Sequence, residues 1–333
     1  MYIVNSYPLA VLFCIVTMMC WGSWANTQKL AYKEWSFPLF YWDYTLGIII
    51  LSLIFGFTLG SRGENGEAFI PNLINAAPKA FLYALLGGIV FNIANLLLVA
   101  AIEIAGMAIA FPIGIGLALV LGVFNNYLPA PENYNALFLF LGVILVTLAI
   151  IINAIAYKKV THGGKSTKGI LLSLVAGVLM SFFYRFVADS MSADLVHIEP
   201  GTFTPYSAVF VFSIGIFVSN FIFNYYFMRK PVSGNPVTFK MYFEQGSPQL
   251  HLVGILGGII WSLGMMLSIM AGDIAGYAIS YGLGQGATLV AAIWGVFVWK
   301  EFAGSPKGTK PLLAAMFALF IIGLALIILA RLS

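Results

Sequence analysis

About twenty apolar residues in a row is the length a helix needs to cross a hydrocarbon core, and such runs recur from one end of this chain to the other. Charged residues fill only 8% of its 333 positions, and hydrophobic residues fill 61%. A soluble domain carries about 25% charge to cover its surface, so a water-soluble fold is excluded. Inside lipid the backbone must satisfy its own hydrogen bonds, and continuous apolar runs do so as helices. The reading is an all-α integral membrane protein with ten transmembrane helices, at 8–27, 39–60, 80–102, 106–128, 136–157, 168–189, 205–228, 250–272, 276–299 and 310–331. The longest polar stretches, 61–79 and 229–249, are loop-sized. No basic residue precedes Lys29 and no small-residue cleavage site follows the first run, so that run is expected to be a membrane helix and not a secretory signal. Cys14 and Cys20 lie six apart on it, too far to bridge each other, and carry no redox chemistry.

Basic residues orient the helices. Of sixteen Lys and Arg, twelve fall in the odd-numbered loops, from Lys29 and Lys33 through Lys165, Arg229 and Lys230 to Lys307 and Lys310. Arg62, Lys79 and Arg331 fall in the even-numbered loops and the tail, and Arg185 falls inside a helix. The positive-inside rule places the odd loops in the cytoplasm and both termini on the outer, periplasmic side of a cell inner membrane.

An internal repeat organises the chain. Gly87-Gly88-Ile89 recurs as Gly257-Gly258-Ile259, an offset of 170 residues (257 minus 87). At the same offset Glu103-Ile104-Ala105-Gly106 meets Asp273-Ile274-Ala275-Gly276, and Gly114-x-Gly116 meets Gly284-x-Gly286. The repeat unit holds five helices, residues 1–160 and 161–333. With an odd number the second copy enters the membrane upside down, which makes an inverted repeat. Many secondary transporters are built this way, with the solute near the midplane between halves that exchange shapes.

Candidate solute-binding residues follow from where polar and irregular features sit in the apolar helices. Helix 4 carries Pro112, Gly114 and Gly116, and helix 9 carries Tyr281, Gly282, Gly284, Gln285 and Gly286; both are weak points where unwinding would expose backbone to a cavity. Gln285 is an amide that needs a partner in lipid. Trp21, Trp24 and Asn26 on helix 1, Asn92 and Asn95 on helix 3, and Trp261 on helix 8 offer rings and amides that suit a small neutral polar solute. Trp35 and Trp299 read as interface anchors.

Ionisable groups at depth are costly in a bilayer and often functional. Asp43 lies about one turn into helix 2 from the cytoplasmic side and is the candidate coupling or gating carboxylate; a charge complementing the helix N-terminus is the plainer alternative. Arg185 lies near the outer end of helix 6 and is a candidate for the outer vestibule, too distant to pair with Asp43. Glu103 and Asp273 are assigned to the hairpin turns. The segment His162-Gly163-Gly164-Lys165-Ser166-Thr167 imitates the end of a phosphate-binding loop, but Lys159 stands where that motif requires Gly, and no strand precedes it. His162, His197 and His251 are read as loop residues without metal-ligand spacing. No catalytic set, metal site, cofactor or nucleic-acid surface is expected.

Tyr41-Trp42-Asp43-Tyr44-Thr45-Leu46, Thr58-Leu59-Gly60, Gly87-Gly88-Ile89-Val90 followed by Asn95-Leu96, Ala275-Gly276-Tyr277-Ala278, and Trp294-Gly295-Val296-Phe297 leading to Glu301 carry a resemblance. The chain resembles the ureide permease family of the drug/metabolite transporter superfamily and, more distantly, the glucose/ribose porters and rhamnose transporters. That resemblance implies import of allantoin, related ureides or nucleobases, with protons, or of a sugar in the porter subgroup. Plant ureide permeases carry a long central loop, where this chain has only 157–168. The expected function is a secondary transporter moving a small polar organic solute by alternating access, between helices 1, 3, 4, 6, 8 and 9. An exporter of metabolites or drugs is the alternative within transport, and a membrane sensor or enzyme the alternative outside it.

Overall fold

Proline opens the helices and hydroxyl side chains cap them. Pro stands in the first two positions of α1 (Tyr7–Ser23), α3 (Phe37–Phe57), α5 (Pro78–Ala105), α9 (Pro205–Arg229) and α11 (Pro248–Ala275), where its missing N–H has no intrahelical partner to lose. Ser166, Thr204 and Ser247 accept the usual backbone N–H at the starts of α8 (Thr167–Asp189), α9 and α11. The remaining long helices are α6 (Met107–Tyr127), α7 (Ala136–Val160) and α14 (Thr309–Leu329). The computed structural model describes residues 1–31, 35–63, 65–160, 166–232 and 234–331. Within them ten helical segments are long and apolar enough to cross a membrane. Lys33 and the 161–165 part of the phosphate-loop-like segment, including His162 and Lys165, lie outside the described residues.

Two spans are interrupted. The first pauses at Trp24 and resumes as α2 (Ala25–Ala31). There the Asn26 amide donates to the Ser23 carbonyl at 2.9 Å and the Thr27 hydroxyl to the Trp24 carbonyl at 2.6 Å, side-chain bonds that compete with the helix ladder. The ninth span runs as α12 (Tyr277–Gly284), a turn at Gln285 and Gly286, α13 (Ala287–Ile293), and a wider π-turn over Trp294–Val298. The expected weak point in this span is therefore a break. Its counterpart is not: α6 runs unbroken through Pro112, which forfeits a single hydrogen bond in a helix held on both sides by α7 and α8.

Elements recur at the offset read from the sequence. A short helix α4 (Phe69–Asn75) precedes α5, and a short helix α10 (Phe239–Gln245) precedes α11. Both 28-residue helices end on a glycine with positive φ, Gly106 at 79° and Gly276 at 84°, a conformation costly for any other residue. The packing recurs too. A Cβ on Gly47 of α3 would stand 3.0 Å from the Cα of Gly258 on α11, and one on Gly215 of α9 would stand 3.2 Å from the Cα of Gly88 on α5. Each glycine pair lets two backbones meet, as membrane helices do at small residues. Each crossing joins a helix of residues 1–160 to one of residues 161–333.

By the up-and-down order of the spans, Lys29, Lys158, Lys159, Arg229, Lys230 and Lys300 gather on one face, together with α10. The opposite face holds α4, whose Asn72 accepts from the Thr204 backbone N–H at 2.9 Å and donates to the Thr202 carbonyl at 3.0 Å.

Candidate functional site

Midway along α5 and α11 the rings of Phe91 and Trp261 meet, their centroids 4.4 Å apart. These two positions correspond at the 170-residue offset. Trp21 of α1 stacks on Trp261 at 5.8 Å and 13°, and its indole N–H donates to the Trp261 carbonyl at 3.2 Å. Phe212 of α9 covers Trp261 from another side, stacked at 6.0 Å. Two sequence candidates, Trp21 and Trp261, thus share one aromatic layer at the centre.

About two turns along α11 from this layer lies a closed set of hydroxyls that no sequence motif marked. The Tyr184 hydroxyl of α8 is 2.9 Å from the Ser268 hydroxyl of α11 and donates to the Ser280 hydroxyl of α12 at 3.1 Å. Ser268 and Ser280 are themselves 2.9 Å apart, and the Cys14 thiol of α1 donates to Ser280 at 3.5 Å. All four side chains are fully buried. Tyr281 is next to them, its hydroxyl 3.2 Å from the carbonyls of both Ala118 and Met180. The helices that contribute are the first, sixth, eighth and ninth spans. Single serines in apolar helices carry little signal; only the 280–281 segment lay inside a stretch the sequence singled out.

Asp43 sits in the first two turns of α3 with 1% of its surface exposed. Its carboxylate accepts from the Tyr242 hydroxyl of α10 at 2.6 Å, and its two oxygens lie 3.0 and 2.9 Å from Nδ1 of His251. His251 occupies the first turn of α11, not a loop. Its ring is held edge-on by Trp35 and by Tyr242, each with centroids 4.8 Å away. Trp35 is 3% exposed, so it is a wall of this cluster and not an interface anchor. Gly254, one turn along α11, leaves the space that Asp43 Cβ fills. Burial, then the adjoining Asp43, push the Tyr242 phenol above its ordinary value, so it remains a hydrogen-bond donor at every physiological pH. The side chain of His251 keeps 27% of its surface and that of Asp43 only 2%, so the imidazole is the carboxylate's contact with the lysine-rich face. Asp43 is thus tied to α10 and α11 as well as to its own helix.

The other candidates disperse. Asn92 donates to the Ser219 hydroxyl at 2.8 Å and Asn95 to the Tyr41 hydroxyl at 3.2 Å, both between packed helices. Trp24 packs on Tyr44 at 4.8 Å. Asn26 is committed to the span-one break and accepts from the Trp299 indole at 2.6 Å, where Lys29 also pairs with Glu301 at 2.6 Å. Gly114 is a packing position: a Cβ there would press on Leu98 at 2.7 Å, and Gly177 of α8 rests on its backbone. Gln285 is 7% exposed and stands at the turn that breaks the ninth span. Arg185 pairs with Asp189 one turn on, on the face opposite Asp43. A seam of amides along α9 escaped the sequence reading: Asn224 donates to the Pro38 carbonyl at 2.8 Å, and both amide atoms of Asn220 are buried without a partner.

Comparison with known proteins bears on this architecture. The family model for ureide permease matches residues 157–330, just over half of the chain. The chain belongs to the ureide permease family. Ureide permease 1 of Arabidopsis thaliana is 25% identical, with 98% of each protein covered. Ureide permease 2 of the same plant is 23% identical over the same shares. Probable ureide permease A3 of Vigna unguiculata is 23% identical, across 92% of this chain and 99% of that protein. The alignment with ureide permease 1 spans 386 positions against 333 residues here, so that relative carries inserted residues. One crystal structure, 17% identical, superimposes on 98% of this chain and 99% of its own with a TM-score of 0.61, a shared fold. This ureide permease family member is a multi-pass membrane protein in which the aromatic layer, the hydroxyl set and the Asp43 cluster occupy the interior.

Proposed function

We propose that this protein is a proton-coupled importer of small neutral polar solutes, with ureides and nucleobases ahead of monosaccharides. The match to named ureide permeases over nearly the full length of both chains carries the solute class. Two inverted halves, residues 1–160 and 161–333, rock about the axis marked by Phe91 and Trp261. The solute binds at mid-depth between the Trp21–Trp261 layer and the Tyr184, Ser268 and Ser280 hydroxyls. Rings supply flat faces for a planar ring, and hydroxyls both donate and accept for its carbonyls and N–H groups. The lysine-rich face is cytoplasmic by the positive-inside rule, and both termini are outside. Asp43 takes the coupling proton and His251 passes it to the cytoplasm, because a buried carboxylate bonded to an imidazole that reaches solution has both a reason to bind a proton and a way to release it.

A ligand that binds only the folded protein raises its melting temperature by mass action. Among allantoin, uracil, xanthine, glucose, ribose and rhamnose, allantoin or a nucleobase is expected to raise the transition of the purified protein most. A rise with a sugar and none with the ureide or bases would move the protein's function to that of the sugar porters.

A further inference from the structure

The lysine-rich face holds a cleft of about 420 Å³, walled by the start of α3, the last turns of α5, the end of α9 and α10. That volume is within the range of small-molecule sites. One wall is formed by Trp35 and Ser36. Ser36 is the N-cap residue of α3, yet its side chain makes no capping bond. Its hydroxyl and the Trp35 indole N–H are both buried without a hydrogen-bond partner. Thr204 and Ser247, the caps of α9 and α11, do close on their helices. Buried polar groups are nearly always satisfied, and an exception asks for an explanation. An indole N–H can only donate, so what satisfies it brings an acceptor oxygen. Across the cleft stand the Glu103 carboxylate and the Asn235 and Gln245 amides, which accept from N–H groups. Phe37, Leu96 and Phe227 give the apolar walls between.

We propose that this cleft is a second solute site, for a neutral cyclic urea or amide whose carbonyl oxygen accepts from Trp35 and Ser36 once these side chains, closed off from solvent in this structure, turn toward it, and whose N–H groups face the opposite wall. It rests on the transport reading and adds to it a station on the cytoplasmic side. The amide seam connects the two sites. Pro38 lines the cleft and accepts from Asn224; Asn220, one turn deeper on α9, is unpartnered; Asn92, whose side-chain oxygen is also unpartnered, adjoins Phe91 of the central layer. Trp35 serves two neighbours, because its ring also packs on His251 and Tyr242. A solute in the cleft therefore touches the wall that positions the partners of Asp43.

The test uses the full chain with Val99→Cys, a half-buried position on the cleft wall, and unaltered protein as the background for the buried Cys14 and Cys20. A membrane-impermeant maleimide is applied to the lysine-rich face with allantoin as probe, and uptake of labelled allantoin is measured in the same preparation. Allantoin at ten times its dissociation constant is expected to slow modification about tenfold, by occupancy. Adding Ser36→Ala or Trp35→Phe removes most of that protection. Ser36→Ala leaves the melting temperature unchanged, since no capping bond is lost, which separates ligand binding from a structural role. Uptake without protection overturns the cleft and leaves transport standing. Protection that survives both substitutions overturns the assigned contacts. Absence of both uptake and protection overturns the cleft together with the ureide reading beneath it.

Discussion

Asp43→Asn is expected to abolish concentrative uptake while leaving solute exchange across the membrane intact. The amide keeps an oxygen for the Tyr242 hydroxyl, which approaches at 2.6 Å in the native protein, so the fold around α10 persists. What goes is the proton site. A potential of 100 mV is worth about 2.3 kcal/mol for each charge moved, and tenfold costs about 1.4 kcal/mol. One proton carried with each neutral solute therefore supports roughly 40-fold accumulation, and the variant should fall to equilibration. His251→Gln is expected to slow proton release without removing the carboxylate, and so to retain part of the gradient. Measuring steady-state accumulation and counterflow in the same vesicles separates the two activities. Accumulation by Asp43→Asn equal to that of the native protein contradicts the coupling role.

Gly258→Val is expected to have the largest effect on stability. A Cβ at this position would lie on the Tyr44 carbonyl and 2.9 Å from the Ile48 backbone nitrogen. Neither neighbour is a side chain that can turn away, so the α3 and α11 backbones must part. Overpacking costs up to about 3 kcal/mol in typical cores, occasionally more, and a backbone clash belongs at the upper end. The loss is read as a lower melting temperature and lower yield of folded protein. Gly116→Ala is the contrast: nothing stands within 4 Å of a Cβ there, so a gain of up to about 1 kcal/mol from helix propensity is expected. Equal melting temperatures for the two variants would show that the α3–α11 crossing is not close-packed.

Much of the fold was legible because lipid leaves few choices. Apolar runs of membrane-spanning length fixed ten spans to within a few residues, and the Gly87-Gly88 and Gly257-Gly258 echo marked both helix crossings. The short helices α4 and α10 were not legible, since each is only seven residues inside a polar stretch. The site was legible where rarity gave a signal. An aspartate in an apolar helix and a tryptophan at mid-depth are unusual, and that rarity singled out Asp43, Trp21 and Trp261 as candidates. Tyr184, Ser268 and Ser280 are common residues whose meaning lies in their meeting, from three helices up to 96 residues apart. His251 was misread because it stands at the very start of the expected 250–272 span, where spacing alone does not show that its ring turns inward onto Asp43. Pro112 was misread because a proline forbids one hydrogen bond but does not by itself unwind a helix held by its neighbours.

The central claim is solute uptake driven by protons. Its most direct test is accumulation of labelled allantoin, with uracil alongside, in proteoliposomes of the purified protein under an imposed inward proton gradient. The predicted result is uptake above equilibrium that collapses when a protonophore dissipates the gradient. Uptake that never exceeds equilibration, or that is indifferent to the gradient, would contradict it.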